Sequence, residues 1–381
     1  MQKAFKYRLY PSKPQQRRLE ATLETARRWY NDCLAQRRAA YELIGWSINH
    51  TYQLSQVKAH KSTNPFAAGV HSHILQLVCT DLDRAFQAFF RRLKTGEKPG
   101  YPRFRSRGRF ASFGFKEYAN GFKLDGRRLK VHGVGRIAVR WHRPLLGQPK
   151  TLRLVRQAGD WYAVFVCESE PEALSATGSQ VGIDVAITSL IATSDGEHVQ
   201  HPGWYQASER RLRVAQRRVA RRKKGSSNRR KAVTMLQRVH RDVANQRRDF
   251  LDKLALKLVR EHDILVLEDL RIRNMVRNHH LAKSILDRGW HYLLGRLLRK
   301  AEEAARQVIL VDARNTSQRC SGCGVLHALS LKDRWLKCAC GLSLNRDENA
   351  ARNILAVARL GQSRWASSSP LGGLAQEAAG L

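Results

Sequence analysis

Residues 3–10, KAFKYRLY, alternate polar and apolar positions as a half-buried strand does, and Pro11 and Pro14 stop the pattern. A lone strand leaves both edges unpaired, so its partners must lie elsewhere in the chain. From Gln15 to about Arg92 the spacing turns helical, through Leu19, Leu23, Ala26, Trp29 and Leu34, then Leu75, Leu77, Leu82, Phe86 and Phe89. After the break GEKPGYPRFRSRGR at 96–109, short strands return at 122–131 with an Asp125-Gly126 turn, at 135–141, and at 151–168 with a turn at 158–160. The economical reading is a small β-barrel of residues 1–12 and 97–170, interrupted by a helical insertion at 13–96; closure removes the unpaired edges.

PEALSATGSQ (171–180) is small, polar and turn-rich, the composition of a linker. Beyond it VGIDVAITSLIATSDGEHVQ predicts two or three strands in hairpin sequence, and a helical stretch runs from about Gln206 to Glu261. Its later half carries Leu236, Val239, Val243, Phe250, Leu254 and Leu258 at helical spacing, a stripe suited to packing on a sheet. DILVLEDL (263–270) is a buried strand, 281–306 a helix, QVILVD (307–312) another buried strand, and NRDENAARNILAVARL (345–360) a final helix. This order predicts an α/β domain of residues 171–314 and 342–360, interrupted by a cysteine segment at 315–341 and followed by a disordered tail at 361–381. The chain as a whole reads as multidomain α+β.

Composition adds the partner. The 381 residues hold 69 Lys and Arg against 32 Asp and Glu, a net charge of +37, which demands a polyanion and points to nucleic acid. No apolar run approaches a membrane span and the start lacks a signal-peptide core, so the expectation is a soluble, cytoplasmic protein, nucleoid-associated when bound to DNA. Residues 206–250 alone hold 16 Lys and Arg against Glu209, Asp242 and Asp249, a density that repels itself without phosphates to meet it. In 102–115 arginines interleave with Phe104, Phe110, Phe113 and Phe115, suited either to stacking on splayed bases or to a barrel core.

Two groups of side chains suggest chemistry. Asp184 lies within the apolar strand VGIDVAI, Glu268 and Asp269 end ILVLED, and Asp347 sits in the first turn of the last helix. Singly, each could be a hydrogen-bonded structural group or a partner of the helix dipole. Together, near one sheet edge, they repel unless a cation joins them, and a pair of Mg2+ ions on such carboxylates supports phosphodiester hydrolysis. Of the seven cysteines, Cys320, Cys323, Cys338 and Cys340 form CxxC and CxC knuckles flanked by glycines, the donors of one closed, structural Zn2+ site. The shortened CxC is the irregular part of that pattern. Cys33, Cys79 and Cys167 stand singly among apolar residues and read as packing.

KYRLYPSKPQ, KPGYPRFRSR, VGIDVAITSLIATSDG, VLEDLRIRNM, TSQRCSGCG and RDENAARNIL, in this order, make the chain resemble the TnpB (OrfB) family of insertion-sequence-encoded, RNA-guided DNA endonucleases related to type V CRISPR effectors. The resemblance extends to about residue 360. It implies a wedge β-barrel with a helical recognition lobe, then a RuvC-like (ribonuclease-H-like) nuclease domain with a zinc-ribbon insertion. It implies that Asp184, Glu268 (rather than Asp269) and Asp347 are catalytic and hold Mg2+, and that the four cysteines hold Zn2+. It also implies two partners, a guide RNA from the mobile-element end and a target DNA read beside a short adjacent motif, for which Tyr52, Ser55, Gln76 and Asn120 are candidate readers. Besides CxC, the chain departs from the family in having Asn345 where Asp often precedes Arg346. Competing functions are a nucleic-acid-binding regulator without cleavage, and a transposase performing strand transfer.

Overall fold

Strand β1 (Gln2–Tyr10) takes up its alternation as expected, burying Phe5, Tyr7 and Leu9 on one face. The computed structural model describes residues 1–186, 188–270, 272–312, 314–330 and 333–361, with the backbone of 364 and 365, and divides into the units Met1–Glu170 and Pro171–Leu381. In the first unit β1 leads into α1 (Lys13–Ile44), α2 (His50–Thr63), α3 (Pro65–Ala68) and α4 (Ser72–Lys94). Ser12 and Gln15 form a capping box at the start of α1, and Gly45, at φ 65°, ends it. Six strands follow: β2 (Ser112–Phe115), β3 (Phe122–Asp125), β4 (Arg128–Val131), β5 (Gly135–Arg140), β6 (Gln148–Gln157) and β7 (Asp160–Glu168).

With β1 they form one antiparallel sheet in the order β2-β6-β7-β1-β5-β4-β3, so the first strand is indeed held in the middle by strands more than 120 residues away. The sheet curls without closing by hydrogen bonds. Its edge strands β2 and β3 meet instead through rings, Phe115 against Phe122 at 6.0 Å between centroids. Phe113 and Phe115 are core residues and Phe110 packs against them, so the packing alternative holds for these three, while Phe104 is exposed beneath Arg38. Cys33, Cys79 and Cys167 are buried in the same core.

The second unit runs β8 (Gln180–Asp184), β9 (Ile191–Thr193), β10 (His198–Val199), α5 (Trp204–Ala220), α6 (Ser227–Glu261), β11 (Ile264–Glu268), α7 (Ile272–Met275), α8 (His279–Arg288), α9 (Trp290–Glu303) and β12 (Gln307–Val311). The hairpin β13 (Trp335–Lys337) and β14 (Ser343–Asn345), then α10 (Arg346–Arg359) and β15 (Arg364–Trp365), complete it. The sheet order is β10-β9-β8-β11-β12-β15, with β8, β11 and β12 parallel.

Two predicted helices are each broken by a glycine. The stretch 206–261 is a hairpin of α5 and α6, turned at Gly225 (φ 86°) with Ser226 capping α6. The stretch 281–306 divides at Gly289 (φ 69°), where a Cβ would meet Arg247 and Leu251 at 3.0 Å. Residues 174–178 are also less free than a linker: Asp263 accepts from the Thr177 and Gly178 amides, and Arg306 donates to the Leu174 and Ser175 carbonyls. No described helix is long and apolar enough to cross a membrane. The tail expected to be disordered lies, beyond Gly361 and the backbone of 364 and 365, outside the described residues.

Candidate functional site

Strand alternation decides which side chains of β8 and β11 face α10. Odd-numbered Val181, Ile183, Leu265 and Leu267 pack in the core formed with α6 and α9, whereas Val266 packs with Ile354 and Leu355 of α10. Gly182 lies directly under that helix: a Cβ there would stand 2.0 Å from the Ala351 carbonyl oxygen and 2.9 Å from the Leu355 nitrogen. Even-numbered Asp184 and Glu268 therefore share the α10 side. The parallel register sets Leu267 opposite Ile183, and the next step along both strands puts Glu268 beside Asp184 at the carboxyl ends.

α10 runs antiparallel to β8. Arg359 near its end donates to Gln180 at the start of the strand, and Asp347 in its first turn accepts from Thr188 beyond the strand's end, at 2.7 Å. From the Gly182–Ala351 contact, two residues along β8 lead to Asp184 and one turn back along α10 leads to Asp347. All three carboxylates thus occupy one face of one sheet edge. Asp269, the alternative to Glu268, is exposed.

The electrostatics match that crowding. Burial first, then the charges of Glu268 and Asp347, push the Asp184 carboxyl well above the usual range, with Arg346 pulling the other way. Burial and Asp312 also raise Glu268, against the hydrogen bond it accepts from Thr316. The carboxylates do not close into a cage. Among the described residues, the four cysteines are the group of three or more metal-binding side chains whose ligand atoms all lie within 4.8 Å of one another.

In that second group the Sγ atoms of Cys320 and Cys340 are 3.7 Å apart and those of Cys323 and Cys338 3.4 Å. Sulfurs at the corners of a tetrahedron around zinc lie about 3.8 Å apart. The shortened CxC knuckle therefore still converges, its turn closed by Gly341 at φ 90°, whose amide donates to the Cys338 carbonyl. Asn345 likewise does what an aspartate would do there, capping α10 by accepting from the Asp347 amide at 2.9 Å.

Sequence reading missed the residues that link the two groups. Asn349, fully buried, donates to the Arg319 carbonyl and accepts from the Ser321 amide; Asn353 donates to the Thr316 and Arg319 carbonyls. Thr316 in turn donates to Glu268. The signal was available: two asparagines four apart in an otherwise apolar helix face, NAARN, are polar groups that burial obliges to find partners. Of the four candidate motif readers, only Tyr52 and Ser55 are joined by a hydrogen bond among the described residues; Asn120 instead bonds to His71 and Glu117.

Comparison with known proteins gives three matched regions. Residues 164–279 match the OrfB family of IS605 elements, described as "Probable transposase"; residues 290–354 match "Cas12f1-like, TNB domain"; and residues 1–44 match "Helix-turn-helix domain", although here they form β1 and the single helix α1. A "Putative RNA-guided DNA endonuclease" of Streptomyces pristinaespiralis is 35% identical over 365 residues, covering 94% of this chain and 89% of the relative. "Putative RNA-guided DNA endonuclease InsQ" of Escherichia coli (strain K12) is 30% identical over 376 residues, covering 93% and 92%. Among solved structures, "Cryo-EM structure of CasPhi-2 (Cas12j) bound to crRNA" aligns over 94% of this chain and 98% of that chain at 11% identity, with a TM-score of 0.40.

Two outcomes follow from the geometry. Gly182→Ala forces α10 off the sheet, because both clashing atoms are backbone; a loss of about 1–3 kcal/mol is expected in urea denaturation. For Asp184 the sign is fixed by its raised carboxyl: the folded chain keeps a proton that the unfolded chain gives up, so stability falls as pH rises from about 4 toward the raised value. With divalent cations chelated, Asp184→Asn should melt a few degrees above the parent protein at pH 7, the gap closing near pH 4. Parallel melting curves at both pH values would contradict this account of the carboxylate edge.

Proposed function

The chain belongs to the OrfB/TnpB family, and on that premise we propose the chemistry that its three clustered carboxylates perform. The protein is an RNA-guided DNA endonuclease of the TnpB type, with guide RNA and target DNA as its partners. Our reading is that Asp184, Glu268 and Asp347 are its catalytic residues, on a RuvC-like unit formed by 171–314 and 342–360 with the zinc ribbon at 315–341. The wedge and recognition-lobe roles then fall to 1–12 with 97–170 and to 13–96.

One observation carries the proposal. Three acids in a chain of net charge +37 are gathered on one face of one sheet edge, where two of them are held uncomfortably as anions. An all-oxygen donor set with uncompensated negative charge fits a hard cation such as Mg2+. Bound there, such ions supply the positive charge that activates water and stabilises the leaving oxygen of a phosphodiester. The chain's own part is positional. Thr188 fixes one oxygen of Asp347, Thr316 fixes one of Glu268, and the Gly182 contact sets the height of α10. The cysteine tetrad fits a structural Zn2+, and Asn349 and Asn353 tie that ribbon to the helix bearing Asp347.

Protein purified with its co-expressed RNA should cut matched DNA beside a short adjacent motif when Mg2+ is present. Asp184→Ala, Glu268→Gln and Asp347→Asn should each lower cutting at least about 100-fold while RNA remains bound. Undiminished cutting by Asp184→Ala would remove these residues from catalysis. RNA binding with no cutting would favour a regulator, and joined rather than cut products a transposase.

Elemental analysis should find one zinc per chain, and Cys338→Ser should abolish it. Because Asn349 and Asn353 grip the ribbon from α10, zinc loss is also expected to slow cutting about 10–100-fold; unchanged cutting by zinc-free protein would show the two sites to be independent.

A further inference from the structure

The hairpin of α5 and α6 extends well beyond the sheet on which it is rooted. α6 has 35 residues, about 52 Å of helix, yet its residues buried in the sheet core all lie in its C-terminal part, from Leu251 to Val259. It enters β11 after a two-residue turn and lies back along it, so the residues before Leu251, about 36 Å of helix, reach past the carboxyl edge that carries Asp184 and Glu268. Near the tip the two helices enclose a cleft of about 300 Å³, lined by Ala215, Arg218, Arg222, Asn228, Lys231, Ala232 and Met235.

The composition of this cleft is unusual for a solvated helix face. Between Glu209 and Asp242 the sequence holds no acid, and among the described residues Arg218, Arg222 and Lys231 form no ion pair. Three cations held around one cleft repel each other until a polyanion meets them. Its floor, however, is apolar: Ala215 and Ala232 face each other across the hairpin, and Met235 is left 48% exposed among the charges. A site for phosphate alone has no use for such a floor.

We propose that the cleft holds one unstacked nucleotide of the guide RNA. The base lies on Ala215, Ala232 and Met235, with the Asn228 amide at its edge, and the flanking phosphates meet Arg218, Arg222 and Lys231. Single-stranded loops and bulges of structured RNA present bases free to leave the stack, whereas a guide–target duplex keeps its bases paired. Held there, the RNA is fixed beyond the carboxyl ends of the strands, the end of the sheet at which the carboxylates lie. The inference rests on the RNA-guided reading above.

The test uses the full chain and the RNA that copurifies with it, re-transcribed and end-labelled, in filter binding across a salt series. The triple variant Arg218→Gln, Arg222→Gln, Lys231→Gln should lower affinity and flatten the log–log salt slope by about 2, the share of three single-strand phosphates. Ala232→Leu fills the floor without changing charge; it should cost about tenfold in affinity at an unchanged slope. Met235→Ser, exposed and neutral, is the companion variant should Ala232→Leu lower the melting temperature. Parental affinity in both floor variants would overturn the base pocket, and a parental salt slope in the triple variant would overturn the phosphate contacts. Losses seen only after DNA is added would assign the cleft to a DNA strand instead. A parent protein that copurifies with no RNA would refute the guided reading and this inference with it, an outcome distinct from variants that match an RNA-binding parent.

Discussion

Everything at the carboxylate edge depends on how closely α10 can lie on β8. The limiting contact is Gly182 beneath the carbonyl of Ala351, too close for any side chain. The apolar contacts of Ile354 and Leu355 with Val266, Ile309 and Val311 hold the helix down, each fully buried aliphatic side chain contributing about 1.5–3 kcal/mol. That attraction is set against the cost of bringing Asp347 toward Asp184 and Glu268. Ionising a carboxyl that its surroundings hold protonated costs free energy, about 1.4 kcal/mol for each tenfold by which protonation is favoured. Packing that is strong and short-ranged can impose a charge arrangement that electrostatics alone would disperse.

The same opposition runs through the chain at a larger scale. A +37 protein has abundant cations with which to neutralise three acids, yet the charge of Arg346 only partly offsets the rise of Asp184, while Glu268 and Asp347 take hydroxyl hydrogen bonds from Thr316 and Thr188. Hydroxyl donors orient a carboxylate without cancelling its charge. An arginine paired with each acid would relieve the repulsion and cancel the negative charge that a divalent cation would need. The basic residues are instead gathered where phosphates can meet them, most densely along α5 and the first half of α6.

Much of this was legible in the sequence because periodicity survives folding. The alternation of 3–10, the apolar run ending in Glu268 and the late helix with Asp347 in its first turn appear as read, while Asp184, read as lying inside its strand, stands at the strand's end. What failed were boundaries set by a single backbone conformation. Gly289 ends α8 and Gly225 turns the chain just before α6, each at positive φ, and helical spacing on either side of such a residue looks continuous in sequence. Barrel closure was misread for a related reason: β2 and β3 each have strand character, but whether two edges meet by hydrogen bonds or by the rings of Phe115 and Phe122 depends on curl, which no local pattern encodes. The asparagine clamp was hidden because its partners are backbone carbonyls, which carry no sequence signature.

That clamp gives α10 a second task. Its first turn carries Asp347 and Asn349, the next carries Asn353, and its apolar face carries Ile354 and Leu355. Position along the helix axis is therefore determined twice, by the sheet beneath and by the ribbon backbone at Thr316, Arg319 and Ser321. Thr316 closes the loop, since the residue whose carbonyl receives Asn353 also orients Glu268 through its hydroxyl. With a metal held by its four thiolates, the segment would be stiff where a loop of 27 residues would otherwise be soft. The insertion at 315–341 is then better understood as the outer bracket of the carboxylate edge than as an appendage: it fixes, from the side opposite the sheet, the helix on which one of the three acids rides.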